Sequence, residues 1–206
     1  MSIEAVLKQI RDEDVAYVDI RFTDTRGKVQ HVTVDCDLVD EDFLEEGFMF
    51  DGSSIEGWKS IENSDMKLMP DTSTTYLDPF YAEKTLCIHC SIVEPDTGEA
   101  YERDPRGTAQ KAEAYLKESG IGDVAYMGPE AEFFIFDDVR FENKINKVSY
   151  EVDAVDASWN TDTEYEMGNS GHRPGLKGGY FPVNPIDDAQ DLRSEMLSTM
   201  KSIGMK

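Results

Sequence analysis

Glu130 and Glu132 are the residues of this chain best placed to do chemistry. They sit in MGPEAEFFIF, from Met127 to Phe136. On an extended strand, residues two apart share a face, with ~7 Å between their Cα atoms. Phe134 and Phe136 would continue that face as an apolar wall, while Phe133 and Ile135 point the other way. Two carboxylates on one partly buried face repel each other and lose hydration. Hard divalent ions such as Mg²⁺ or Mn²⁺ take carboxylate oxygens and would relieve both costs. A solvated strand edge with two unpaired glutamates would read the same, and spacing alone does not choose.

A second cluster is FDGSS, Phe50 to Ser54, with one carboxylate and two hydroxyls on a tight turn. No histidine is close in sequence, so a Ser-His-Asp nucleophile has no support. Capping of local backbone groups is the plain alternative. A third is NSGHRPGLKGGYFPVNP, Asn169 to Pro185, a basic, glycine-rich island with His172, Arg173 and Lys177. It lacks the P-loop pattern. It reads either as a loop facing an anion or substrate, or as a surface loop with turn glycines. Cys87 and Cys90 have C-x-x-C spacing, but LCIHCSIV reads as a strand. An odd separation would put them on opposite faces, as buried structural thiols. No second pair completes a zinc set.

These residues must be held by ordered elements. Ser2–Ile10 predicts a helix with Ile3, Val6, Leu7 and Ile10 on one face. Val15–Phe22 and Val29–Val34 predict a hairpin around Thr23–Gly27, with Ala16, Val18, Ile20 and Phe22 inward. A short acidic helix, Asp40–Glu46, should stop at Gly47. Phe48–Asp71 shows little periodicity yet is too apolar for disorder, and reads as an ordered loop presenting polar groups. Met66–Met69 and Thr85–Val93 read as strands.

The composition break at Pro95–Pro105 predicts a boundary, with domains of 1–103 and 104–206. Asp104 should cap a new helix with Pro105 at its first position and Gly120 as its stop. Ala109, Ala112, Tyr115 and Leu116 would form its apolar side. Val124–Phe136 should be a long strand. Asp187–Ile203 should be an amphipathic helix with Ala189, Leu192, Met196, Met200 and Ile203 on one stripe, ended by Gly204. The fold class expected is α+β: a small N-terminal domain, then the start of an α/β-type domain.

The net charge of −23, from 43 acidic and 20 basic residues, argues against a nucleic-acid partner, whose phosphates need Lys and Arg in excess. No apolar run is long enough to span a membrane. The N-terminus lacks a signal-peptide layout, so a cytoplasmic location is expected.

Taken together, the motifs resemble the type I bacterial glutamine synthetase family. F-D-G-S-S, eight residues, then N-S-D-M-K-L reproduces its N-terminal signature. G-P-E-A-E-F-F is similar to its strand of metal-ligand glutamates, and G-H-R-P-G-L-K-G-G-Y-F-P-V to a third family stretch. The resemblance runs from the first helix to Lys206. It implies a β-grasp-like N-terminal domain and the beginning of the catalytic domain.

It also implies an ATP-dependent ligase that phosphorylates the γ-carboxylate of L-glutamate and lets ammonia displace the phosphate. Two or more Mg²⁺ or Mn²⁺ ions are implied, with Glu130 and Glu132 as ligands to different ions. Asp51 would bind ammonium and help remove its proton. Ser54 and Tyr180 would line the ammonium pocket, and Trp58 would lie on a loop near a neighbouring subunit's nucleotide. The implied partners are glutamate, ammonium, ATP and other copies of the chain, in stacked hexameric rings (a dodecamer) with sites between subunits. Residues 141–178 resemble the branch regulated by an adenylylating enzyme, whose target tyrosine lies in a part of the family pattern not present in these residues.

Two alternatives stand beside this reading: a γ-glutamyl-amine ligase of the same superfamily, and a truncated chain that only folds or assembles. Family members are more than twice this length. The isolated 206 residues are therefore expected to make no glutamine, and to be less protected from hydrogen exchange after residue 104 than before it.

Overall fold

The computed structural model describes residues 1–155, 157, 159, 166 and 173–205. They gather into two compact units. One is Met1–Tyr126 with the chain's last residues from Lys201; the other is Met127–Met200.

In the first unit, helix α1 (Ile3–Asp12) starts at Ser2, whose hydroxyl accepts from the Ala5 N–H. Strands β1 (Tyr17–Thr23) and β2 (Val29–Asp35) form the expected hairpin, with Gly27 at φ +82° in the turn. Helix α2 (Glu41–Glu46) is capped by Asp40 and stopped by Gly47, as the sequence predicts. Strands β3 (Phe48–Asp51), β4 (Asp65–Pro70), β5 (Tyr76–Leu77) and β6 (Thr85–Val93) follow. The sheet order is β2-β1-β6-β4-β3, with β5 added to β6; only the β1–β6 pair is parallel. A mixed sheet under one helix is the β-grasp-like arrangement expected.

Val6 and Ile10 of α1 pack with Val18, Ile20 and Phe22 of β1, Leu86, Ile88 and Ile92 of β6, and Met66 and Leu68 of β4. The period-2 pattern puts Cys90 in this core. Cys87 lies on the opposite side of β6, also buried. Burial pushes both thiols up to about 12. They are inert structural thiols.

That opposite side holds a buried charge network. Asp19 accepts from His31 Nδ1 and Thr33 Oγ1, both at 2.6 Å, and from Arg21 Nε at 2.7 Å. Arg21 reaches on to Asp78 at 2.7 Å and to the Tyr76 hydroxyl at 2.8 Å. The carboxylate is completely buried, but its partners stabilise the charged form enough to hold its pKa below the usual range.

Helix α3 (Pro105–Glu118) begins as the sequence predicts. The Asp104 carboxylate caps it by accepting from Arg106 N, and also accepts from Ile92 N, tying the helix start to β6. Its expected apolar side is uncovered: Ala109, Ala112 and Tyr115 are exposed.

Two expectations are corrected. Phe48–Asp71 is not an irregular loop throughout. Phe48 and Phe50 alternate with Met49 and Asp51, and that alternation lets β3 pair antiparallel with β4. Conversely, Val124–Phe136 forms no ladder, because no strand lies beside it among the described residues.

The second unit instead contains a hairpin that the sequence reading missed: β7 (Asp138–Lys144) and β8 (Lys147–Asp153), joined by Ile145–Asn146. Val139 and Phe141 face Val152 and Tyr150 across it. On its other face Arg140 pairs with Asp138 and Asp153, both at 2.8 Å. Helix α4 (Gln190–Ser202) follows, close to the expected span, and Gly204 stops it at φ +87°. Its stripe is half-exposed at Leu192, Met196 and Met200. No helix among the described residues is long and apolar enough to cross a membrane.

Candidate functional site

Asp51, Ser54 and Trp58 belong to the first unit; Glu130, Glu132 and Tyr180 belong to the second. Each group is built by its own local structure.

Asp51 ends β3, and its placement begins at Gly47. A side chain there would have its Cβ 2.4 Å from the Leu68 carbonyl oxygen, so only glycine lets the chain leave α2 directly onto β4. Phe48 then packs on Phe43, with ring centroids 5.8 Å apart, and Phe50 on Phe22, at 5.3 Å. Strand alternation turns Asp51 outward, opposite Asp65 of β4. Both carboxylates are exposed. Like charges directly across a ladder destabilise it, so this strand end favours a cation.

Past Asp51 the chain makes a 3₁₀ turn, Gly52–Ser54. Asp51 Oδ1 accepts from Ser53 Oγ at 2.6 Å and Ser53 N at 2.8 Å. The Ser53 hydroxyl, its N–H and the Ser64 hydroxyl hold the Asp51 carboxyl below the usual carboxylate range. Asp51 is thus an exposed, fixed anion. Ser54 closes the same turn and is exposed.

Trp58 lies beneath its loop, on the core side. It is 5% exposed, with its ring against Phe22 at 5.6 Å, Tyr101 at 5.5 Å and Phe50 at 6.3 Å. The Tyr101 hydroxyl donates to the Trp58 carbonyl at 2.9 Å. Lys59 pairs with Glu94 at 2.7 Å, and Arg103 donates to the Gly57 carbonyl. A large apolar ring gains more from this core than from water, so the indole anchors the loop. The loop's exposed residues include Ser54, Glu56, Ile61 and Glu62.

Glu130 and Glu132 are both exposed on a segment without ladder partners. The Phe134 and Phe136 rings stack in parallel, 6.0 Å apart with 4° between planes. Phe133 and Ile135 share a cavity lining with Ile186 and Leu192. The oxygen-only donor pair suits a hard divalent cation, though two carboxylates are an incomplete shell. Among the described residues the one compact group of three potential ligands is Asp35, Cys36 and Asp37, elsewhere in the fold.

Tyr180 is 82% exposed and stacks on Phe181 at 4.2 Å. Arg173 and Lys177 of the basic island are described; His172 lies outside the described residues. The sequence reading did not single out Ser53 or Asp65. Ser53 was signalled by its place two residues after a turn aspartate, the Asx-turn pattern.

A model of the glutamine synthetase β-grasp domain matches residues 14–95, and one of the glutamine synthetase catalytic domain matches residues 102–206. The chain is 75% identical over 200 residues to a glutamine synthetase of Cereibacter sphaeroides, covering 97% of this chain and 43% of that one. It is 70% identical over 205 residues to one of Rhodobacter capsulatus, covering 100% and 47%. The chain thus spans less than half the length of these curated relatives. A cryo-EM structure of Plasmodium falciparum glutamine synthetase matches with a TM-score of 0.83 at 23% identity, over 98% of this chain and 40% of that chain. That likeness shows a shared fold.

Proposed function

The chain belongs to the glutamine synthetase family, and from that premise we propose that it forms part of an ATP-dependent glutamate–ammonia ligase. Domains of 1–103 and 104–206 would supply two portions of its site. The observation that carries the reading is Asp51: an outward, hydrogen-bonded carboxylate, facing a second acid, on a loop anchored from beneath.

In the proposed reaction the γ-carboxylate oxygen of glutamate attacks the γ-phosphorus of ATP, and ADP leaves. Asp51 attracts NH₄⁺ by charge and accepts one of its protons. The ammonia so formed attacks the γ-carbonyl carbon, and inorganic phosphate leaves with the C–O bond electrons. Ser54 and Tyr180 line the ammonium pocket. Glu130 and Glu132 would hold divalent ions, Mg²⁺ or Mn²⁺, whose chemistry is to neutralise phosphoryl charge and align the reacting oxygens. Trp58 serves the nucleotide side through the loop it holds.

The assembly proposed is a homo-oligomer of stacked hexameric rings in the cytoplasm, working in nitrogen assimilation, with sites between subunits. An adenylylating enzyme would act on a tyrosine in another part of the full-length protein.

An amine ligase of the same superfamily is the second reading, and co-substrate choice separates the two. With ATP, glutamate and Mg²⁺, the full-length protein is expected to release ADP in steady turnover when ammonium is added. Its kcat/KM for ammonium should exceed that for methylamine or ethylamine by at least about tenfold, the discrimination one extra methyl group gives. Equal or better turnover of an alkylamine would overturn the ammonia assignment.

A further inference from the structure

We propose that Ser53 is a positioning residue: it locks one oxygen of Asp51 so that the other is presented to the ammonium ion. The inference rests on the reading of Asp51 given above.

The lock has a side-chain and a backbone part. Ser53 Oγ and N both donate to Oδ1, at 2.6 and 2.8 Å. Gly52 N donates to the Ser64 carbonyl at 2.7 Å, fixing the turn to the start of β4. Gly52 is buried, and a Cβ there would stand 2.4 Å from Met66 Sδ and 3.1 Å from the Ser64 carbonyl oxygen. The turn therefore lies tight on β4, and the Asp51 side chain loses its torsional freedom before any ligand arrives. Preorganisation of this kind removes an ordering cost from binding.

The same device occurs once more in this unit, with its purpose visible. Asp71 Oδ1 accepts from Ser73 Oγ at 2.6 Å and Ser73 N at 3.0 Å, again beside a 3₁₀ turn. There the free oxygen, Oδ2, takes the Arg106 guanidinium. A serine lock on one oxygen leaves the other aimed at a cation. At Asp51 no basic side chain among the described residues forms the matching ion pair. Asp65 lies directly opposite it, and Lys67, diagonal on β4, makes no ion pair with it. The cation for Asp51 must come from outside this surface, and ammonium is small enough to meet a single carboxylate oxygen.

The test compares Ser53→Ala, Ser53→Thr and Asp51→Asn in the full-length enzyme. Ser53→Ala is expected to raise the ammonium KM about tenfold, as loss of a charge-assisted hydrogen bond would. KM values for glutamate and ATP should stay within about twofold, the scatter of such effects.

The pH profile has a definite sign. The hydroxyl stabilises the charged carboxylate, so its loss lets the Asp51 pKa rise. The acid limb of kcat/KM for ammonium then moves to higher pH. Ser53→Thr, which keeps the hydroxyl, should restore both readouts. If Ser53→Ala proves unstable, Ser53→Cys replaces it, because a thiol is a weak donor.

An unchanged ammonium KM overturns the proposal. So does an equal rise in all three KM values, which would make Ser53 merely structural. If Asp51→Asn leaves ammonium use intact, the underlying reading of Asp51 fails. If Asp51→Asn cripples it and the Ser53 variants do not, the positioning role alone fails.

Discussion

Asp51→Asn in the full-length enzyme is expected to lower glutamine formation about 100-fold or more, the range set by losing a positioned general base. Asn keeps the shape and can still accept from Ser53, so the turn and β3 should survive. What is lost, in the proposed reaction, is the negative charge that attracts NH₄⁺ and the base that takes its proton. Phosphorylation of glutamate needs neither. Formation of γ-glutamyl phosphate, followed by trapping the acyl phosphate in the absence of ammonium, should fall by less than about threefold, the usual context scatter of a single-residue effect. Equal loss of both partial reactions would remove Asp51 from the ammonia step.

The second large effect concerns Glu130→Gln and Glu132→Gln. Both carboxylates are exposed and lie two residues apart. Each substitution keeps an oxygen donor but removes a charge. Each should raise the Mg²⁺ or Mn²⁺ concentration giving half-maximal activity by at least about tenfold, the low end of what even outer-sphere changes cost a metal site. The two curves should differ if, as proposed, the two side chains serve different ions. An unchanged metal requirement in both variants would favour a solvated segment with no ligand role.

Much of the first unit was legible in the sequence because its signals are local. Asp40 and Asp104 sit where caps must sit, Gly47 and Gly120 where helices must stop, and Pro105 fits only a first helical turn. The alternation of Val18, Ile20 and Phe22 fixed the inner face of β1. The same alternation separated Cys87 from Cys90.

What was not legible depended on partners. A strand exists only beside another strand, and the pattern of Val124–Phe136 says nothing about whether one is present. Strand β3 is four residues long, and its two phenylalanines were lost among the turn residues that follow. Trp58 was assigned by the loop it occupies. Its burial comes from Phe22, Phe50 and Tyr101, which lie 36, 8 and 43 positions away along the chain.

At the candidate site, type and spacing drew attention to Asp51, Glu130 and Glu132, and the family resemblance supplied the roles proposed for them. It could not show that Ser53 closes on Asp51 or that Asp65 stands opposite. The first requires the 3₁₀ turn, and the second the register of β3 on β4.

If Asp51 and the two glutamates serve one reaction from neighbouring subunits, inactive variants should rescue each other. Full-length Asp51→Asn and Glu132→Gln subunits, each inactive alone, would be co-assembled in equal amounts and assayed for ATP-dependent glutamine formation. In a closed ring with random mixing, about one site in four joins an intact Asp51 to an intact Glu132, because each interface draws from two subunits. Recovery of about a quarter of the parent activity is the expected result. Mixed oligomers as inactive as either variant alone would contradict a site shared between subunits.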